Sequence, residues 1–291
     1  MNADVPTSFE KQAGWCRSLG SPFTANLLDA AATLLDRDDP VMREIADWKG
    51  DPVLDALPLR FAGALHALVL TERDEGLAAA YPPNPTPAAE KLASIVSESV
   101  KRHEAHCLDW LKRAPQTNEV ARASLLLLGY SWLYRKAGLP LAIREIGASA
   151  GLNLSFDRFG YRLGNQVWGL AYSPVTLAPI WEGPQPRLPP DVPVADRAGA
   201  DIEPLDVNMP SHRLALQAYC WADQELRLAR LAGAISIARQ IGTRVEKIGA
   251  DAFVAREFAE PRVGVALVLS HTVVWQYLTE TVQSQVELHL Q

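Results

Sequence analysis

A short segment in the middle of the chain carries the residue types that could do chemistry. It runs from Glu145 to Gly151 and reads E-I-G-A-S-A-G. Residues 147–151 satisfy G-x-S-x-G, the turn that exposes a nucleophilic serine at a strand end in α/β-hydrolases. The acidic Glu145, two positions before the first glycine, is also typical of a loop that binds a nucleotide-type cofactor. The surrounding elements therefore have to distinguish a catalytic Ser149 from a cofactor loop.

A serine hydrolase is one interpretation of this segment. Ser149 is followed along the chain by Asp201 or Asp251 and then by His271, the order of triad residues in α/β-hydrolases. In that fold several strands and an oxyanion-hole loop precede the nucleophile strand. Here the residues before position 141 have helical spacing instead. Serine hydrolysis is kept as an alternative.

A cofactor loop explains the spacing better. The dinucleotide fingerprint G-x-G-x-x-G fails, because Ser149 and Leu152 stand where its second and third glycines belong. The segment instead resembles motif I of the class I S-adenosylmethionine-dependent methyltransferases. This resemblance implies that Gly147 and Gly151 leave bare backbone against the amino-acid end of the cofactor, with Ser149 in the middle glycine position. Glu145 would accept hydrogen bonds from the cofactor ammonium. The simpler alternative is a tight strand-to-helix turn, which needs two glycines in many α/β proteins.

Further polar residues follow the later predicted strands. Asp201, with Glu203 as second choice, ends the second strand, where an acidic residue holds the ribose hydroxyls in similar sheets. Asp251 follows the third strand, where the resemblance implies a place near the adenine amino group and a helix N-cap is the structural alternative. Ser270 and His271 follow the fourth strand, near the methyl group. His271 is the candidate general base, because an ordinary histidine pKa of about 6.5 suits proton removal at neutral pH.

The spacing of apolar residues divides the chain into two parts. Residues 1–138 have helical spacing and are predicted to form an all-helical N-terminal region. Residues 139–291 are predicted to form a second domain, in which strands alternate with helices. The predicted strands cover residues 141–146, 194–202, 244–249 and 263–269, and the predicted helices follow Gly151 and cover 212–239 and 252–258. This alternation indicates a parallel sheet with right-handed crossovers, so the predicted fold class is α/β with a Rossmann-like sheet.

Two features depart from a complete methyltransferase domain. Residues 160–199 carry seven prolines with Trp168 and Trp181, which predicts an inserted hairpin and loop, and such insertions are often lids. The sequence also ends after one helix beyond the fourth strand, so the sheet is expected to be incomplete at its C-terminal side. The fourth strand would then be an apolar, unpaired edge, which a homodimer could cover.

Four segments together resemble an uncharacterised bacterial domain-of-unknown-function family with a methyltransferase-like fold. They are QTNEVARA (116–123), EIGASAGLNLSFDRFGYRLG (145–164), GADIEPLDV (199–207) and LVLSHTVVWQYL (267–278). The resemblance covers nearly the whole chain. It implies a helical N-terminal part joined to a Rossmann-like sheet, and it supplies no substrate.

Composition argues against several kinds of partner. A formal charge of -6 without clustered Lys and Arg gives no reason to expect nucleic acid. No window approaches the roughly 18 apolar residues of a membrane span, and no secretory signal is recognisable, so a cytoplasmic protein without membrane contact is expected. His103 and His106 lie one helical turn apart but lack further ligands, so no metal site is predicted. The cysteines are expected as buried, reduced thiols: Cys16, Cys107 and Cys220.

Two other groups have weaker claims to a site. Residues 116–119 could project onto the crevice, although a loop with a helix cap at Thr117 or Asn118 is a sufficient explanation. Trp275 and Tyr277 could flank a planar substrate, but core packing at the strand-to-helix corner is the expected role.

The main hypothesis is S-adenosylmethionine-dependent methyl transfer to a small-molecule acceptor. The cofactor-binding residues would be Glu145, Gly147, Ser149, Gly151, Asp201 and Asp251, with Ser270 and His271 beside the reacting methyl group. One alternative is a non-catalytic methyltransferase-like module for binding or assembly. The other is a serine hydrolase that uses Ser149.

Overall fold

The computed structural model describes residues 2, 4–35 and 38–290. It divides into two compact units, one made of residues 1–117 and 214–228 and the other of residues 118–213 and 229–291. Within the described ranges, every helix is too short or too polar to cross a lipid bilayer.

The N-terminal part of the first unit is helical, which confirms the prediction for these residues. Its helices are α1 (Asp4–Ser18), α2 (Pro22–Ala32), α3 (Pro40–Ala46), α4 (Leu57–Leu70), α5 (Glu75–Ala78), α6 (Ala89–Arg102) and α7 (Glu104–Leu111). Apolar faces of these helices pack into one core around Phe9, Leu28 and Phe61. Asp39 caps α3 and Asp74 caps α5 by accepting from backbone N–H groups, which explains where these helices begin. All three cysteines are buried thiols outside any disulfide, so their predicted burial is confirmed.

The second unit is built on a four-stranded parallel sheet. A helix, α8 (Ala123–Ala137), precedes the strands β1 (Leu141–Ile146), β2 (Gly160–Leu163), β3 (Gln166–Gly169), β4 (Thr176–Leu177), β5 (Val194–Asp201), β6 (Val245–Lys247) and β7 (Ala266–His271). The sheet order is β6-β5-β1-β7 and every pair in it is parallel. All six residues of β1 are buried, as a central strand requires. The α/β class and the parallel sheet are confirmed, and each of the four predicted ranges contains a strand, although the third is shorter than predicted and the fourth, predicted over 263–269, spans Ala266–His271.

The proline-rich insertion forms a small second sheet. β2 and β3 make an antiparallel hairpin, and β4 pairs parallel to β2, so the predicted hairpin is confirmed. Tyr161 and Trp168 pack edge to face across the hairpin with ring centroids 5.6 Å apart. The indole N–H of Trp168 donates to the Pro189 carbonyl at 2.8 Å, which ties the proline-rich loop to the hairpin.

The single helix predicted over residues 212–239 is wrong. The structure has two helices there, α9 (Pro210–Ala218) and α10 (Glu225–Ile241), separated by a turn. The turn contains no Gly or Pro, so the sequence gives no local signal for it. Tertiary contacts hold it instead, because Trp221 packs against the core of the first unit and Asp223 accepts from the N–H of Phe23 at 2.8 Å.

The remaining elements close the second unit. α11 (Ala250–Glu257) follows β6, and α12 (Glu280–Leu288) packs against it around Phe253, Val254 and Val286. Among the described strands β7 pairs only with β1, so a homodimer through its other edge stays a prediction.

A buried arginine holds the sheet at the end opposite to the strand carboxyl ends. Arg144 of β1 is 3% exposed and pairs with Asp196 of β5 and Glu257 of α11, each at 2.5 Å. Its hydrogen bond and positive charge, together with Arg262, lower the pKa of Asp196. This network joins three elements below the candidate site.

Candidate functional site

The carboxyl ends of the sheet strands meet at one edge of the second unit. Ile146 of β1 lies opposite Ala200 of β5 on one side and His271 of β7 on the other. Asp201, the next residue of β5, lies opposite Lys247 of β6. Residues predicted from separate strands are therefore brought to one edge, where open parallel sheets bind ligands.

The loop that follows β1 has an unusual backbone. Gly147, Ser149 and Gly151 all have positive φ angles, of 63°, 53° and 69°. A Cβ atom on Gly147 would lie 2.4 Å from the Cβ of Val274, and one on Gly151 would lie 2.9 Å from a methyl group of Thr243. Both glycines are thus required by conformation and by space. Ser149 adopts the left-handed region without this freedom, which stores strain in the centre of the loop.

Asp201 holds this glycine loop (residues 147–151) in place. Its carboxylate accepts from the N–H of Ser149 at 2.8 Å and from the N–H of Glu203 at 2.9 Å. The N–H of Ala148 donates to the Ala200 carbonyl at 3.0 Å, so the end of β5 carries two contacts to the loop. A carboxylate offers about four acceptor positions, and half-buried Asp201 can accept further bonds from a ligand.

Most N–H groups of the glycine loop already have acceptors within the protein. Besides those of Ala148 and Ser149, the N–H of Gly151 donates to the Ala148 carbonyl at 2.7 Å. The N–H of Leu152, at the start of the 3-10 helix Leu152–Arg158, donates to the side-chain oxygen of Asn118 at 2.9 Å. A phosphate cradle needs these groups free and convergent. The loop is therefore better suited to a ligand without a phosphate at this position.

Glu145 is a buried carboxyl group directly before the loop. It is 2% exposed, and among the described residues no hydrogen bond to its carboxylate is found. The pKa of Glu145 is raised to about 8, mainly by burial; the charge of Arg122 lowers the pKa and the charge of Asp201 adds to the rise. A buried polar group without a partner is costly to a fold and is therefore often a ligand-binding group.

The segment before α8 completes one side of the site. Glu119 caps the 3-10 helix Val120–Arg122 by accepting from the N–H of Ala121 at 3.0 Å, so the predicted cap at Thr117 or Asn118 is wrong. The Asn118 side chain instead accepts from the N–H of Leu152, at the start of the 3-10 helix Leu152–Arg158. The Asn153 amide of that helix donates to the Glu119 carbonyl at 3.4 Å. The side chain of Asn118 thus bonds a residue 34 positions away, a contact that the local cap pattern does not predict.

Arg122 lies at the end of the same segment. It is half-buried, and its guanidinium donates to the Thr272 hydroxyl at 3.5 Å, just beyond β7. Arg122 is not among the site residues predicted from the sequence. Its only signal was its place in the segment QTNEVARA.

The two candidate residues at the end of β7 have different environments. Ser270 is 7% exposed, accepts from the Tyr130 hydroxyl at 2.8 Å and donates to the Arg144 carbonyl at 3.4 Å. Its hydroxyl thus joins α8 to β1. His271 is exposed and stacks on Trp275 with ring centroids 5.4 Å apart. Desolvation of the ring by its neighbours lowers the pKa of His271 although the residue is exposed, so the ring is neutral at pH 7 and able to accept a proton.

The two aromatic residues beyond β7 have different environments. Trp275 packs against the core around Phe253, as expected, whereas Tyr277 is 75% exposed, so core packing is wrong for Tyr277. Val273, between them and β7, has a φ of 71°, which is strained for a β-branched residue. The strain lies where this segment passes Gly147.

Asp251 lies in the first turn of α11, after β6. The N-cap position of this helix is Gly249, so the alternative that Asp251 is the N-cap is wrong. A cavity of about 470 Å³ opens beside Ala150, lined also by residues 204–208 and 242–245. Asp251 is not among the described residues that line it.

The two histidines that lie one helical turn apart in the first unit, His103 and His106, have protein partners. His103 pairs with Asp74 at 3.2 Å, and His106 contacts the Ala64 carbonyl at 2.9 Å. Within residues 4–35 and 38–290, three or more His, Cys, Asp or Glu side chains do not gather into a possible metal site.

Comparison with known proteins identifies a family. The family described as "Uncharacterized protein conserved in bacteria (DUF2332)" matches residues 7–291. The chain belongs to this family. No curated protein and no solved structure matches the chain.

Proposed function

We propose that this DUF2332 protein binds S-adenosylmethionine at the carboxyl edge of its sheet and transfers the methyl group to a small-molecule acceptor. The observation that carries the proposal is the glycine loop after the central strand, held by Asp201 and adjoining the buried Glu145. The sheet order, in which the first strand lies between the second and the fourth, supports a Rossmann-like arrangement. The engaged loop N–H groups favour a cofactor without a phosphate.

The proposed contacts assign one part of the cofactor to each of these groups. Glu145 accepts from the ammonium of the cofactor, while Gly147 and Gly151 let its amino-acid end approach the backbone around Ser149. Asp201 uses its remaining acceptor positions for the ribose hydroxyls. Asp251 is the proposed residue for the adenine amino group, and the cavity beside Ala150 provides space near the loop.

The proposed chemistry needs positioning and a base. The bound cofactor supplies an electrophilic methyl group. His271, which is neutral at pH 7, removes a proton from the acceptor if the accepting atom carries one. Ser270 contributes by fixing the end of β7 against Tyr130. Holding both reactants in line is the main contribution of the protein to the rate.

Isothermal titration calorimetry with S-adenosylmethionine and S-adenosylhomocysteine tests the proposal. We expect dissociation constants on the order of micromolar for the full chain, and affinities at least about tenfold weaker in Glu145→Gln and Asp201→Asn. Glu260→Gln, an exposed carboxyl with no role here, is the matched control and leaves binding unchanged. Thermal melts confirm that each variant folds. Absence of binding by the wild-type chain would contradict the proposal.

A serine hydrolase is the second candidate, because Ser149 sits at a strained turn after a buried strand. Against it, both oxygens of Asp201 accept from backbone N–H groups, and the His271 ring stacks on Trp275. Ser149→Ala separates the two: a hydrolase loses its esterase activity, whereas S-adenosylhomocysteine binding is retained. Tight cofactor binding without turnover on any acceptor would favour the non-catalytic module.

A further inference from the structure

Arg122 differs from the other arginines that pack against the sheet. Arg144 and Arg197 are each paired with carboxylates, Asp196 and Asp157 respectively, at 2.5 and 2.6 Å. In the part of the chain that the structure describes, Arg122 has no carboxylate at ion-pair distance. Arg60 and Arg213 are also half-buried without a carboxylate partner among the described residues, but each donates to two backbone carbonyls. The guanidinium of Arg122 has instead one contact with a hydroxyl, at 3.5 Å, so the protein compensates its charge less well.

The position of Arg122 places this charge at the crevice. Its guanidinium reaches Thr272 beyond β7, and its charge acts on Glu145 at the end of β1. These two strands are neighbours, with Glu145 opposite Ser270. Arg122 also stands at the N-terminus of the 15-residue helix α8, whose dipole adds positive potential there.

The neighbouring carboxyl does not neutralise this charge. Burial keeps Glu145 largely protonated at neutral pH, because its pKa is raised to about 8. Glu145 therefore leaves the charge of Arg122 largely uncompensated beside the end of β7, and the Asp201 carboxylate of the crevice is held by the N–H groups of Ser149 and Glu203.

We propose that Arg122 is a carboxylate-binding residue, and that the crevice takes a small ligand whose carboxylate docks on this guanidinium beside Thr272. A guanidinium matches a carboxylate with two parallel hydrogen bonds, which gives both affinity and orientation. The capped 3-10 helix holds Arg122 in place before the ligand binds, which limits the entropy lost on binding. The inference rests on the proposed function for the nature of the ligand.

Two molecules could supply the carboxylate. One is the acceptor, which would then be an organic acid positioned by Arg122 near His271. The other is the cofactor, whose amino-acid end would meet Arg122 with its carboxylate and Glu145 with its ammonium. The chemistry at Arg122 is the same in both cases.

The first arm of the test needs no cofactor. Saturation-transfer NMR compares benzoate with benzamide on the full chain, on Arg122→Met, which keeps the length and removes the charge, and on Arg122→Lys. We expect the wild type to prefer benzoate, Arg122→Met to bind it at least about tenfold more weakly, and Arg122→Lys to recover part of the loss. Arg239→Met, an exposed arginine of α10, is the matched control and binds as the wild type.

The second arm identifies the source of the carboxylate. Calorimetry compares S-adenosylmethionine with its decarboxylated form, which keeps the ammonium. If Arg122→Met weakens the binding of S-adenosylmethionine but not that of its decarboxylated form, the cofactor supplies the carboxylate. If it weakens the binding of benzoate alone, the acceptor supplies it. The proposal is overturned if Arg122→Met changes neither the binding of benzoate nor the binding of S-adenosylmethionine. Benzoate binding that depends on Arg122, without any cofactor binding, would uphold this inference while the proposed function fails.

Discussion

At the scale of single residues, Glu145 is the most informative side chain of the site. It is buried at the end of a central strand, and among the described residues no hydrogen bond to its carboxylate is found. Arg144, the residue before it, is equally buried but has two carboxylate partners. Of these two consecutive buried ionisable residues, only Arg144 has partners of opposite charge, and this difference supports the proposed ligand-binding role of Glu145.

The raised pKa of Glu145 predicts a pH dependence of stability. Between about pH 4.5 and about pH 8 the unfolded chain releases a proton that the folded protein keeps, so the free energy of unfolding falls as pH rises through this range. Glu145→Gln removes this contribution. In calorimetric melts we expect the difference in Tm, variant minus wild type, to increase from about pH 5 to about pH 8. If the plot of Tm against pH for Glu145→Gln runs parallel to that of the wild type, as expected for Glu260→Gln, then Glu145 is not buried as described.

At the scale of elements, the glycine loop depends on its contact with the segment beyond β7. Gly147 and Gly138 have nearly equal positive φ angles, but only a Cβ on Gly147 would meet another side chain, that of Val274. The two positions therefore separate backbone conformation from steric contact.

This difference gives a matched pair of substitutions. Gly138→Ala should lower the free energy of unfolding by about 1 kcal/mol, because an alanine there adopts a left-handed conformation. Gly147→Ala should lower it by about 3 kcal/mol, because overpacking against Val274 adds to the same conformational cost. Urea unfolding of both variants measures the difference. If both variants lose the same free energy of unfolding, the glycine loop and the segment around Val274 move apart to accept the added Cβ without cost.

At the scale of the whole molecule, the first unit is made from two parts of the chain. Residues 214–228 belong to it, and they bring Ala218 and Tyr219 to a core with Trp110. Asp223 in this segment accepts hydrogen bonds from Ser21 and Phe23, at the start of α2. A side chain 200 positions away thus satisfies the first turn of α2, because Ser21 makes no side-chain cap bond itself.

The role of Asp223 can be measured in the full chain. Asp223→Ala should destabilise the first unit by about 1 to 2 kcal/mol, since it removes the acceptor for an N-terminal N–H of α2. Hydrogen exchange should accelerate at the start of α2 and not in the sheet. Asp191→Ala is the control, because the Asp191 carboxylate accepts from the N–H of its neighbour Val192. Unchanged exchange at Phe23 would contradict the assignment.

The sequence by itself determined the class of the fold and the position of the glycine loop. Strands β1 and β5 to β7 were predictable because apolar runs and turn residues are local patterns that a parallel sheet imposes along the chain. Gly147 and Gly151 were equally visible, since positive φ angles favour a specific residue type. The same reasoning failed at residues 212–239, where helical spacing continues through a turn.

Only the tertiary structure decided which polar groups meet. It showed that Asp201 binds the loop backbone, that Asn118 bonds Leu152, and that Arg122 reaches Thr272. Each pair joins residues that are at least 34 positions apart, and the residue types involved are ordinary for caps and surface loops. Their partners depend on how the elements pack, and packing depends on contacts between distant parts of the chain rather than on local spacing.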